Sequence, residues 1–179
     1  MNMHDASNTV DHHLQQFATE LAALRIGVAP SDAQVVTIRA CMLTLARAAD
    51  WQRYGHRAAC GAEELVYPLH EAAGSPSLYL VSDGPGVRSD PHGHCTWAVI
   101  VGLGGNELNV LYQHDGAVPG SVTPVSETAL KAFDALYLPP TAIHATLAAD
   151  DVPTYHLHLY GRPLRELPPY PSRCFVARC

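Results

Sequence analysis

The chain has 179 residues, a formal net charge of −6, 47% hydrophobic residues and 16% charged ones. That composition supplies a sizeable core, points to one main domain and excludes a disordered chain. Lys131 is the only lysine and no basic cluster occurs, which excludes nucleic acid and anionic membrane surfaces as partners.

The first fifty residues read as two amphipathic helices. Val10, Leu14, Phe17, Leu21 and Leu24 recur at helical spacing, and Gly27 and Pro30 end the run. Ser31 and Gln34 then match a capping box, followed by a second stripe of Val35, Ile38, Met42, Leu45 and Ala49 that continues to Trp51. Both stripes must be buried, and the outer face of a following sheet is the simplest partner. After Arg57, short runs rich in Val, Leu, Tyr and Thr alternate with turn chemistry such as Asp83-Gly84-Pro85-Gly86 and Gly104-Gly105-Asn106. The expected strands are 77–82, 95–102, 107–113, 121–125, 135–138, 143–148 and 154–160. Such spacing predicts an all-β sandwich or barrel. A proline-rich stretch, Arg162 to Arg173, reads as an irregular tail packed on the domain. The expected organisation is a helical extension over 1–55 and a β-barrel with its tail over 56–179.

Five cysteines (Cys41, Cys60, Cys95, Cys174 and Cys179) with no C-x-x-C motif predict free thiols in a reducing compartment. Met1 to Val10 shows no secretory pattern and no run is long and apolar enough for a membrane span, so a cytoplasmic location without membrane attachment is expected.

Three histidines stand out among eleven. His92 and His94 form a His-x-His pair, and an extended backbone would place both imidazoles on one face with Cα atoms about 6.6 Å apart. Two rings at that separation can converge on one metal ion. His144, after Pro139-Pro140-Thr141-Ala142-Ile143, is a candidate third ligand from another strand. Cys95 is one residue out of phase with the pair and is expected to pack rather than ligate. On the strand 154–160, His156, His158 and Tyr160 share one face, and Tyr155, Leu157 and Leu159 the other. Three inward polar groups need partners, which a metal site would supply. A terminal cysteine such as Cys179 is expected to be an unremarkable frayed end.

Gly86-x5-His92-x-His94, followed by Gly104-Gly105, resembles the first motif of the cupins, and Pro139-x4-His144 resembles the second. The resemblance covers roughly Val66 to Gly161. It implies a mainly β fold, a double-stranded β-helix or jelly-roll barrel with the two helices as an N-terminal extension. Many cupins carry a glutamate three or four residues after the second histidine, where this chain has Ala98 and Val99. The implied ligand set is therefore His92, His94 and His144, three neutral imidazoles.

Within the superfamily that pattern is similar to the thiol dioxygenases, cysteine dioxygenase and its bacterial 3-mercaptopropionate-type relatives. The runs Trp97-Ala98-Val99-Ile100 to Gly104-Gly105-Asn106-Glu107 and His156-Leu157-His158-Leu159-Tyr160-Gly161 resemble the bacterial branch. The resemblance implies Fe(II) as cofactor, a small-molecule thiol and O2 as partners, and a sulfinic acid as product. His158 and Tyr160 correspond to the family's His–Tyr pair beside the substrate, with His156 in place of the preceding serine. The family's carboxylate-binding arginine has no counterpart near Tyr67-Pro68-Leu69-His70. His70, Arg88, Arg162, Arg165 and Arg173 are the candidate replacements, which leaves the substrate open. A three-His dioxygenase acting on a β-dicarbonyl and a non-redox metal-binding cupin or sensor are the alternative readings.

Overall fold

The computed structural model describes residues 3–49, 51 and 56–178. Among the described residues helix α1 (Met3–Ala23) precedes α2 (Asp32–Ala48), and ten strands follow: β1 (Glu64–His70), β2 (Ser77–Asp83), β3 (His92–Gly93), β4 (Ala98–Gly104), β5 (Glu107–His114), β6 (Ser121–Leu130), β7 (Ala135–Leu138), β8 (Ile143–Ala148), β9 (Thr154–Tyr160) and β10 (Val176–Ala177). The boundary expected between residues 55 and 56 adjoins 52–55, which lie outside the described residues, as does Cys179.

Strand pairing defines the architecture. One sheet has the order β1-β2-β9-β4-β7 and the other β10-β6-β5-β8-β3. Among β2 to β9 the first strand pairs with the last, the second with the second-last, and so inward to the β5–β6 hairpin, all antiparallel. A long hairpin rolled up in this way is a jelly-roll, or double-stranded β-helix.

The helices lie on the outer face of the first sheet. Val10, Phe17, Leu21, Ile38, Met42 and Leu45 form one cluster with Val99, Val101, Leu157 and Leu159. The inner face of the same strands contributes Tyr79, Val81, Ala98, Ile100 and Tyr160 to a second cluster. Alternation along β4 and β9 therefore separates a helix-facing layer from a barrel-facing layer. The capping box is present: Ser31 Oγ accepts from the Gln34 amide at 3.4 Å, and Gln34 Oε1 accepts from the Ser31 amide at 2.9 Å. The second helix stops at Ala48, before Trp51, whose indole N–H turns back to donate to the Leu45 and Ala46 carbonyls, both at 3.2 Å. Carbonyls at a helix end run short of backbone donors, so the ring caps the last turn.

Three strands depart most from the sequence-based expectation. The strand expected from residue 95 starts at Ala98, because Cys95 has φ of 58°. That left-handed backbone interrupts any ladder, and it leaves Cys95 exposed rather than packed. The strand expected over 121–125 runs on to Leu130 beside β5. Its Pro124 lies opposite Tyr112 at a register shift, where a missing N–H costs no ladder bond. Strand β1, not among the expected strands, contains Pro68, which its position at the sheet edge tolerates.

Candidate metal centre

A two-residue strand at the sheet edge builds the centre. β3 joins β8 through only two residue pairs, and one of them sets His92 directly opposite His144. The other edge of β3 is held by the C-terminal tail, through a bridge from His92 to Cys174 and a 2.8 Å bond from the Phe175 amide to the Pro91 carbonyl. His94 follows the strand. Gly86, at φ of 76°, makes the preceding turn that only a residue without Cβ adopts freely. The ligand nitrogens of His92, His94 and His144 lie within 4.8 Å of one another, and all three side chains are buried.

Hydrogen bonds set the tautomers. His92 Nδ1 lies 2.9 Å from the Asp90 carbonyl oxygen, which can only accept. His144 Nδ1 lies 3.1 Å from Asn109 Oδ1, while the Asn109 amide donates to Glu107 Oε1 at 2.7 Å. Both Nδ1 atoms thus carry the proton, and both Nε2 lone pairs are left for the centre. His144 Nε2 stands 3.0 Å from His94 Nε2. Burial, reinforced by mutual repulsion among the rings, lowers the pKa of His94 and His144 well below the ordinary value, and burial lowers that of His92. Neutral imidazoles with inward lone pairs and outer acceptors form a donor set that fits a divalent metal ion. No carboxylate belongs to this group: Ala98 faces the interior and Val99 the helices.

The opposite sheet supplies the facing wall. His158 Nδ1 lies 2.9 Å from the Tyr160 hydroxyl, and the Tyr160 ring stands edge-on to His94 with centroids 4.9 Å apart. Gly161 ends this strand where an added Cβ would lie 2.5 Å from the Trp97 indole nitrogen, so the close approach requires glycine. Burial raises the Tyr160 phenol far above its ordinary pKa and keeps it protonated.

A cavity of about 390 Å³ opens beside the triad, with Val66, Val81, Val87 and Leu164 as apolar lining and Arg88 and Arg173 as its guanidinium groups. His70, Arg162 and Arg165 do not line it, and Arg165 pairs instead with Glu71. Arg173 comes from the tail, which forms short turns over Leu164–Glu166 and Tyr170–Arg173. It donates to the Gly93 and Pro168 carbonyls at 2.7 and 2.8 Å, which fixes the guanidinium beside the histidines. Tyr170 from the same turn contacts the His92 ring at 5.1 Å between centroids.

Sequence reasoning missed Asn109 and Glu107. Their signal was present as polar residues at period two, alternating with Leu108 and Val110, and both are buried. His156 lies in the barrel interior, fully buried, away from the triad group.

No protein-family model and no curated protein matches the chain. Solved structures do. A cupin superfamily protein from Desulfitobacterium hafniense is similar at 15% identity and a TM-score of 0.47, over 60% of this chain and 84% of that one. An RmlC-like cupin with a double-stranded β-helix fold from Methanocaldococcus jannaschii aligns at 9% identity and 0.46, over 62% and 91%. An oxalate oxidase in complex with the substrate analogue glycolate aligns at 13% identity and 0.47, over 60% and 55%. The strand pairing defines a jelly-roll barrel, and it carries a three-histidine group able to hold a metal ion. Among the described residues no helix is long and apolar enough to cross a membrane.

Proposed function

We propose that the protein is a mononuclear Fe(II) dioxygenase that oxidises a small anionic thiol to a sulfinic acid, with His92, His94 and His144 as the iron ligands. The observation that carries this reading is the convergence of three neutral imidazoles with no carboxylate among them. Such a set would leave the charge of a bound Fe(II) uncancelled by the protein, so the ion, when bound, would favour an anionic thiolate and supply the redox chemistry. The reaction balances without a reductant: R–SH plus O2 gives R–SO2H, both oxygen atoms ending on sulfur.

The chain's own groups supply binding and orientation. Arg173 and Arg88 are the cavity's guanidiniums, and a guanidinium matches a carboxylate in a planar, two-pronged geometry. His158 can donate its Nδ1–H to the Tyr160 oxygen, which leaves the phenol O–H to donate to the reacting group. Apolar side chains at Val66, Val81, Val87 and Leu164 limit water around it.

The test is oxygen uptake by the Fe(II)-loaded protein with 3-mercaptopropionate, cysteine, cysteamine and a β-diketone. Uptake with the carboxylate-bearing thiols and formation of the sulfinate are expected. Uptake with the diketone alone would move the protein to dicarbonyl cleavage. Tight zinc binding without iron-dependent turnover would make it a non-redox cupin or a sensor.

A further inference from the structure

A second cluster of metal-ligating side chains lies in the same barrel interior. Asp83 ends β2, Glu107 begins β5 and His156 lies near the start of β9, and their ligand atoms are all within 4.8 Å of one another. Asp83 and Glu107 line the cavity that the triad also lines. We propose that Asp83, Glu107 and His156 form a second divalent-cation site, distinct from the three-histidine centre and reached through the same cavity.

Three observations support it besides proximity. The His156 imidazole is fully buried, and neither ring nitrogen has a hydrogen-bond partner among the described residues. A buried polar group without a partner is rare and asks for a missing water or ion. Its Nδ1 points at Glu107 Oε2 from 3.6 Å, too far for a hydrogen bond. Glu107 divides its two oxygens: Oε1 accepts from Asn109, and Oε2 remains on the His156 side. Finally, neither buried carboxylate pairs with a lysine or arginine among the described residues. Uncompensated buried carboxylates are costly. Burial, with repulsion from Glu64, pushes Asp83 up to about 7, and burial pushes Glu107 up to about 8, while burial takes His156 down to about 3. A divalent cation would supply the positive charge that neither carboxylate receives from a described lysine or arginine. Two carboxylate oxygens and one imidazole nitrogen suit Mn(II) or Zn(II).

The experiment counts metal. Full-length protein is stripped with chelator, reloaded with Mn(II), desalted and analysed for metal per chain. Wild type should hold two equivalents, His144→Ala one, and Asp83→Asn/Glu107→Gln one. The combined variant should hold none, which also excludes chelation by the N-terminal histidines. One equivalent in wild type and none in His144→Ala would overturn the second site and leave two carboxyls that merely share protons. One equivalent that survives His144→Ala but not the acid substitutions would keep this inference and sink the triad instead. As a check independent of retention, Mn(II) should raise the melting temperature of His144→Ala and leave that of the combined variant unchanged. No shift in His144→Ala would count against the second site.

Discussion

Two polar clusters share one barrel interior and are built on opposite principles. The triad holds three neutral rings, and outward acceptors, the Asp90 carbonyl and Asn109, set the tautomers of His92 and His144. The acid cluster holds two carboxylates and an imidazole with no such settled network. Asn109 and Glu107 join them, since one amide bridges His144 on one side and a carboxylate of the other cluster on the other. The difference shows how one fold sorts donor sets by charge. Neutral donors keep a bound cation electrophilic, whereas anionic donors neutralise it.

The largest expected effect breaks the triad. His144→Ala should remove its metal and abolish oxygen uptake while leaving the acid cluster's equivalent, as measured by metal analysis. Tyr160→Phe should retain metal and lower kcat by about a hundredfold, the scale of a lost positioned proton donor. Steady-state oxygen uptake checks this, and an unchanged kcat would make the ring structural. Asn109→Leu tests the link between the clusters. It should weaken metal binding at the triad by roughly tenfold to a hundredfold, as loss of an outer partner of a ligand histidine does, read by competition with a chelator.

Arg173→Ala sharpens the substrate side. The KM for 3-mercaptopropionate should rise about tenfold, matching one lost charge-assisted bond, and the KM for cysteamine should not. The smallest effect contrasts the buried acids with an exposed one. The guanidinium of Arg57, with help from the Cys60 amide, pulls Glu63 down to about 2 from its ordinary value near 4.5. A depressed folded pKa contributes stability above the unfolded value that is lost as pH falls through the folded one. Glu63→Gln should therefore slightly reduce the fall in melting temperature between pH 5 and pH 2. Screening by solvent keeps that change small.

Much of the barrel was legible in the chain. Strands 135–138, 143–148 and 154–160 fall where alternation put them, and the Ser31–Gln34 cap needs only local residues. The early start expected at Cys95 failed because a left-handed residue leaves no periodic trace. Strand β1 was hidden because edge position, not apolar alternation, permits Pro68 there.

The site divides in the same way. His92, His94, His144, His158 and Tyr160 were readable as residue types at strand and motif spacing. Only the rolled-up pairing sets His92 opposite His144 and turns β9 to face them. Five candidate groups narrow to Arg88 and Arg173 at the cavity, and Arg173 reaches it only because the tail folds back on β3. The meeting of Asp83, Glu107 and His156 joins three strands far apart in the chain. Local periodicity determines which face a side chain takes, because it depends on backbone geometry alone. Which faces then meet, and what charge surrounds them, depends on long-range strand order that no window of sequence contains.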